Sequence, residues 1–82
     1  MKIALTQTAV KQLLKIPSKQ KKRIEGKIET LATNPFSTQS KKLSGREGWH
    51  LRVGDYRILY SVNKKEKLIT ILSAQHRKDA YR

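Results

Sequence analysis

Cysteine is absent from this chain, and acidic residues are scarce. Without cysteine there is neither a disulfide framework nor a thiolate metal site, which fits a reducing cytoplasm, the location expected here. The six carboxylates (Glu25, Glu29, Glu47, Asp55, Glu66, Asp79) are scattered, and His50 and His76 are not at ligand spacing, so no metal is expected. Gly26, Gly45, Gly48 and Gly54 fit no nucleotide-binding fingerprint, and no cofactor is expected. No segment approaches the roughly 20 apolar residues of a membrane span. The opening MKIALTQTAV has no long apolar run and no cleavage signature, so no signal peptide is expected.

What is abundant is positive charge. Nineteen Lys and Arg against six Asp and Glu give a formal net charge of +13 over 82 residues. Self-repulsion on this scale opposes a compact state, and partners that relieve it are nucleic acid, an anionic membrane or an acidic protein. Nucleic acid is the first expectation. The length allows one modest core, so a single domain over residues 1–82 is expected.

The pattern predicts an α+β layout: an N-terminal strand, a two-helix hairpin, then a three-stranded antiparallel meander with the helices packed on one face of the sheet. KIALT (2–6) reads as the first strand. TQTAVKQLLKI has Val10, Leu13 and Leu14 at helical spacing and is closed by Pro17. A second helix is expected from about Ser18 to Thr33, with Ile24, Ile28 and Leu31 as its apolar stripe and Asn34-Pro35 at its end. Gly26 interrupts that helix at a cost of about 1 kcal/mol relative to Ala and could serve close approach of the two helices. Residues 35–48 read as a loop. WHLRV (49–53), YRILYSV (56–62) and KLITILSA (67–74) read as strands, joined by Gly54-Asp55 and by NKKE (63–66).

A two-residue turn with Gly first favours type II′ geometry and fixes the register. It sets Val53 opposite Tyr56, Arg52 opposite Arg57, Leu51 opposite Ile58, His50 opposite Leu59 and Trp49 opposite Tyr60. Trp49, Leu51, Val53, Tyr56, Ile58 and Tyr60 then share the core face, so Trp49 reads as core rather than as a base-stacking group. His50, Arg52 and Arg57 share the other face. Like charges directly across two strands repel, and an anion between two planar guanidinium forks offsets that, phosphate being a good match. The plainer reading is two solvated arginines, each stacked on a neighbour or paired with Asp55 or Glu47. The segment QHRKDAYR brings His76, Arg77, Tyr81 and Arg82 to the sheet edge, where the chain could curl over the same face. KQKKRIEGK (19–27) forms a basic helical face. It serves either solubility or docking on RNA through Lys19, Lys21, Lys22 and Arg23, with Lys41, Lys42 and Arg82 as further contacts.

KKLSG (41–45), WHLRVGDYRILYSV (49–62) and HRKDAY (76–81) together resemble the RelE/ParE toxin superfamily, specifically its RelE-like ribonuclease branch, over essentially the whole chain. The resemblance implies a RelE-like fold: a mixed sheet with two helices on one face and an active surface on the other. It implies a type II toxin that cuts messenger RNA in the ribosomal A site, without a metal, by attack of the 2′-hydroxyl on its own phosphodiester. It also implies a cognate antitoxin as partner, alongside the message and ribosomal RNA. By motif position, Arg57 would hold the scissile phosphate, Arg77 would stabilise transition-state charge, Tyr81 would lie near the reacting nucleotide, and His50 and Arg52 would occupy two basic positions. Members that poison gyrase share the fold, so a gyrase-inhibiting toxin remains an alternative, as does a nucleic-acid-binding module with no chemistry.

Arginine does not deprotonate at working pH, so Arg52, Arg57 and Arg77 can act only electrostatically. The acid and base would come from His50, His76, Tyr81, Lys41 or Lys42, or from the ribosome. Neighbouring cations favour a neutral imidazole, which makes His50 the expected base and Tyr81 or His76 the acid. Simple hydrogen bonding at the sheet edge is the alternative for both histidines. Two features depart from the branch's pattern: His50 stands where relatives carry lysine, and FSTQSKK (36–42) holds no counterpart of a glutamate found upstream in some members.

Overall fold

A computed structural model of the chain describes residues 1–34, 40–42 and 48–76, with residues 40–42 described as backbone. The elements run β1 (Lys2–Leu5), α1 (Gln7–Leu14), α2 (Ser18–Thr33), β2 (Ser40–Lys42), β3 (Trp49–Val53), β4 (Tyr56–Asn63) and β5 (Leu68–His76). The fold is α+β, with one five-stranded sheet in the order β1-β5-β4-β3-β2. β1 runs parallel to β5, and the other pairs are antiparallel. Strand β2 is an addition to the expected four. Its three residues, inside the polar stretch read as loop, carry no apolar alternation to announce them and pair with β3 as Ser40–Leu51, Lys41–His50 and Lys42–Trp49.

α1 starts where Thr6 caps it. The Thr6 hydroxyl accepts from the Ala9 amide at 3.1 Å and donates to the Leu72 carbonyl at 2.8 Å, while the Thr6 amide reaches the Ile71 carbonyl at 3.1 Å. One residue therefore opens the helix and fastens it to β5. The face of α1 turned to the sheet is Ala9, Leu13 and, just past the helix end, Ile16. This corrects the expected Val10–Leu13–Leu14 stripe: Val10 is 41% exposed and Leu14 70%. Burying positions i, i+4 and i+7 rotates i+1 and i+5 by about 100° away from the sheet.

α2 follows its pattern, with Ile24, Ile28 and Leu31 all buried. Gly26 does not mediate a close helix approach, because a Cβ there would meet nothing within 4 Å. The two helices and one face of the sheet share a core that adds Leu51, Val53, Ile58, Tyr60, Ile69, Ile71 and Ala74, with Trp49, Tyr56 and Val62 packed against it.

The β3–β4 register is the expected one at all five pairs. Gly54 has φ +58° and Asp55 does not share the positive sign, as a type II′ turn requires and a type I′ turn forbids. Between β4 and β5 the register shifts once. Leu59 pairs with Ser73 and the next residue, Tyr60, with Ile71, which leaves Leu72 as an extra residue, a β-bulge. The bulge reverses the inward-outward alternation of β5 downstream of Leu72.

Candidate functional site

The sheet face turned away from the helices is built by alternation. Leu51, Val53, Ile58 and Tyr60 are buried on the helix side, so the residues between them, His50, Arg52, Arg57 and Leu59, stand on the other side. Two cross-strand rows result. The first runs Arg52, Arg57, Gln75, and the second runs Lys41 (by register position), His50, Leu59, Ser73. Directly opposed Cβ atoms in an antiparallel pair lie about 4.5–5.5 Å apart, so two guanidinium groups are rooted side by side with an imidazole in the adjoining row. Arg52 is exposed, and Arg57 and His50 are half-buried. Like charges so placed repel, and an anion shared between them lowers the energy of the pair.

The bulge decides what joins this face from β5. Simple alternation from the buried Ile69 and Ile71 would place His76 beside the arginines. The extra residue turns it to the other side, where its ring meets Tyr56 edge-on, with centroids 5.1 Å apart and planes at 86°. There it lines a cavity of about 260 Å³ with Gln12, Lys15, Ile16, Tyr56, Ala74 and Gln75. The expected grouping of His76 with His50 is therefore corrected: the two histidines lie on opposite faces of the sheet. In exchange the bulge brings Gln75 beside Arg57 and Ser73 beside Leu59. Ser73 is 7% exposed, and its hydroxyl has no hydrogen-bond partner among the described residues. Neither Gln75 nor Ser73 could be assigned to the face from sequence, since a one-residue bulge leaves no pattern there.

Arg77, Tyr81 and Arg82 lie outside the described residues, and of Lys41 and Lys42 only the strand positions are described. On α2, Lys19, Lys22 and Arg23 are exposed and Lys21 is half-buried. Lys27 belongs with Arg23, one turn further along the same helix, and both border the base of the β3–β4 turn. The spacing of four residues was the available signal for that pair.

Residues 3–81 match the ParE toxin family of the type II toxin–antitoxin system parDE. The chain belongs to the RelE/ParE toxin superfamily. It is 30% identical over 84 residues to the putative toxin RelE1 of Methanocaldococcus jannaschii, an alignment covering 98% of this chain and 93% of that protein. Its fold is similar to the toxin in the RelB–RelE antitoxin–toxin complex from Methanococcus jannaschii, at 32% identity and a TM-score of 0.79, covering 95% of this chain and 94% of that one. The archaeal RelE–RelB complex from Pyrococcus horikoshii OT3 matches at 28% identity and a TM-score of 0.79, with 93% of each chain covered. The toxin–antitoxin complex RelBE2 from Mycobacterium tuberculosis matches at 26% identity and a TM-score of 0.81, covering 93% of this chain and 96% of that one. As a member of this superfamily the chain is the toxin of a type II toxin–antitoxin system. Among the described residues no helix is long and apolar enough to cross a membrane.

Proposed function

We propose that this toxin is an endoribonuclease that cuts ribosome-bound messenger RNA without a metal, and that a cognate antitoxin restrains it. The observation that supports the reading is the Arg52–Arg57 pair on the face away from the helices, with His50 in the next row. In the proposed reaction the 2′-oxygen attacks the adjacent phosphorus while His50 accepts its proton. The bond from phosphorus to the 5′-oxygen breaks, leaving a 2′,3′-cyclic phosphate and a 5′-hydroxyl once an acid supplies a proton to the departing oxygen. Arg57 holds the phosphate, and Arg52 adds charge stabilisation for the dianionic phosphorane. By motif position Arg77 joins them and Tyr81 is the acid. His76, on the opposite face against Tyr56, takes no part in the proton transfers of this scheme.

The proposed antitoxin has a surface to cover. Leu5, Val10 and Leu14 are exposed at 46%, 41% and 70%. They stand beside Lys11 and Lys15, a combination suited to an acidic amphipathic segment. Binding there would also stabilise the folded toxin by mass action.

The match to the ParE family favours one second reading, a gyrase-inhibiting toxin that cuts nothing. Expression in growing cells with primer extension on a reporter message separates the two. Discrete cuts within codons, lost in Arg57→Ala, support the nuclease. Growth arrest with intact message and altered supercoiling supports the gyrase inhibitor.

A further inference from the structure

Between the end of α1 and the end of β5, on the helix side of the sheet, lies the cavity of about 260 Å³ that His76 borders. Gln12, Lys15 and Tyr56 supply its other polar side chains, and Ile16 and Ala74 its apolar wall. Gln75 borders it from the strand, its side chain standing beside Arg57 on the opposite face. Among the described residues lining it, none is an acid. The Ala74 amide donates to Oε1 of Gln12 at 2.6 Å. Because that partner is a donor, the orientation of the Gln12 amide is fixed, and its NH2 group remains as the donating end. Among the described residues, neither the Lys15 ammonium nor the Tyr56 hydroxyl makes a hydrogen bond or an ion pair. Lys15 is exposed and Tyr56 half-buried.

We infer that this cavity is a socket for one carboxylate, the side chain of a glutamate or aspartate in the acidic segment that covers α1. The inference rests on the antitoxin reading above and deepens it by naming where one acidic side chain is held. An ammonium, an amide NH2 and a phenol O–H all donate, whereas an ionised carboxylate only accepts, and its two oxygens satisfy several donors at once. Hydrogen bonds to an ionised acceptor are also stronger than neutral ones. Two features favour a protein carboxylate over an RNA phosphate. Among the described residues lining the cavity, the one Lys or Arg is Lys15, which has no planar fork to match phosphate oxygens, and the proposed cleavage lies on the other face of the sheet. Leu14, 70% exposed, directly precedes Lys15, and Val10 lies one turn before it. The apolar strip therefore ends beside the cavity, and an amphipathic protein segment uses such a strip where a nucleic-acid backbone gains little from it.

The test is a titration of the isotope-labelled full chain with glutamate capped by acetyl and N-methylamide groups, followed by NMR at the side-chain NH2 signals of Gln12. Saturating shifts with a Kd on the order of 1–10 mM are expected for a ligand of this size, and glutamine capped in the same way should give none. Lys15→Met keeps the stem and loses the charge, and should weaken binding about tenfold; Tyr56→Phe should weaken it about threefold. Lys11→Met removes the same charge one turn away on α1 and should bind as the unaltered chain does. Unchanged thermal unfolding verifies that each variant is folded. Equal shifts from the glutamine probe, or equal weakening in Lys11→Met and Lys15→Met, would overturn the socket. Tighter binding of inorganic phosphate than of capped glutamate would overturn it as well. Acetate bound as tightly as capped glutamate would overturn the protein source and assign the cavity to a free small carboxylate. The antitoxin reading fails separately, as antitoxin affinity unchanged in Val10→Lys/Leu14→Lys, and that result leaves binding of capped glutamate untouched.

Discussion

The Ala74 amide donates to Oε1 of Gln12 at 2.6 Å, so a side chain of α1 completes the edge of β5 beyond the reach of β1. β1 ends at Leu5, paired with Ile71. From there Thr6 takes the Leu72 carbonyl and Gln12 takes the Ala74 amide. Gln12→Ala leaves a part-buried amide unpaired and is expected to cost about 1–3 kcal/mol. Urea unfolding measures it as a lowered midpoint with unchanged slope. Gln12→Glu keeps an acceptor in place and should recover most of the loss.

Gly26 presents the opposite case, a position where the chain is less stable than its fold allows. It sits inside α2 with open space where a Cβ would be, and its φ is not positive. Gly26→Ala should therefore stabilise the protein by about 1 kcal/mol, through helix propensity and a less flexible unfolded chain. A thermal midpoint that stays put or falls would contradict this account.

These two positions also mark what the sequence made legible. Local chemistry was readable: the Gly54-Asp55 turn fixed five cross-strand pairs, and Ile24, Ile28 and Leu31 marked the inner face of α2. Val10 and Leu14 misled because apolar spacing identifies a stripe without saying which neighbouring stripe meets the sheet, and Ala9 is too small to advertise itself. The bulge at Leu72 was hidden for a related reason. Strand parity is inferred by counting, and one extra residue inverts every assignment after it. That inversion moved His76 across the sheet and brought Gln75 beside Arg57. The arginine pair was readable because the turn that sets it is two residues away from each of its members.

Arg57 carries the sharpest prediction for catalysis. Arg57→Ala should lower message cleavage by about 10²–10³-fold, the usual loss when one fixed donor to a developing anion is removed. Arg57→Lys keeps the charge but not the fork, and should recover only part of that loss. The unfolding midpoint of Arg57→Lys should stay in place, since that variant keeps a cation opposite Arg52. Full cleavage by Arg57→Ala would remove the arginine pair from the mechanism.

The two histidines should separate cleanly by assay. If His50 is the base, acidification slows cleavage, because an imidazolium has no lone pair to accept the 2′-hydroxyl proton. His50→Ala should lower the rate and flatten its dependence between about pH 6 and 8, around the ordinary histidine range. His76→Ala should leave cleavage and its pH profile alone and cost stability of about 0.5–1.5 kcal/mol, from the lost edge-to-face contact with Tyr56. Parallel rate and pH measurements on both variants check this. A flattened profile in His76→Ala would place the second histidine back in the chemistry.

The exposed apolar strip separates inhibition from catalysis. Leu14 is the most exposed large apolar residue described, and Val10 lies one turn before it, next to Lys11. Evolutionary retention need not be invoked, since the physical cost is enough: an apolar strip kept in water gives up about 25 cal/mol per Å² that a partner's apolar face would recover. Val10→Lys/Leu14→Lys adds charge to the strip without touching the buried Ala9–Leu13–Ile16 face, so the isolated toxin should keep its stability and its cleavage rate. Its complex with the antitoxin should dissociate faster and weaken by about 10–100-fold, as expected when central apolar contacts are replaced by charge. Titration by calorimetry measures the affinity, and co-expression gives the cellular counterpart, toxicity that the antitoxin no longer suppresses. Undiminished affinity in the double variant would mean that the antitoxin is held elsewhere, and the strip would then need another explanation.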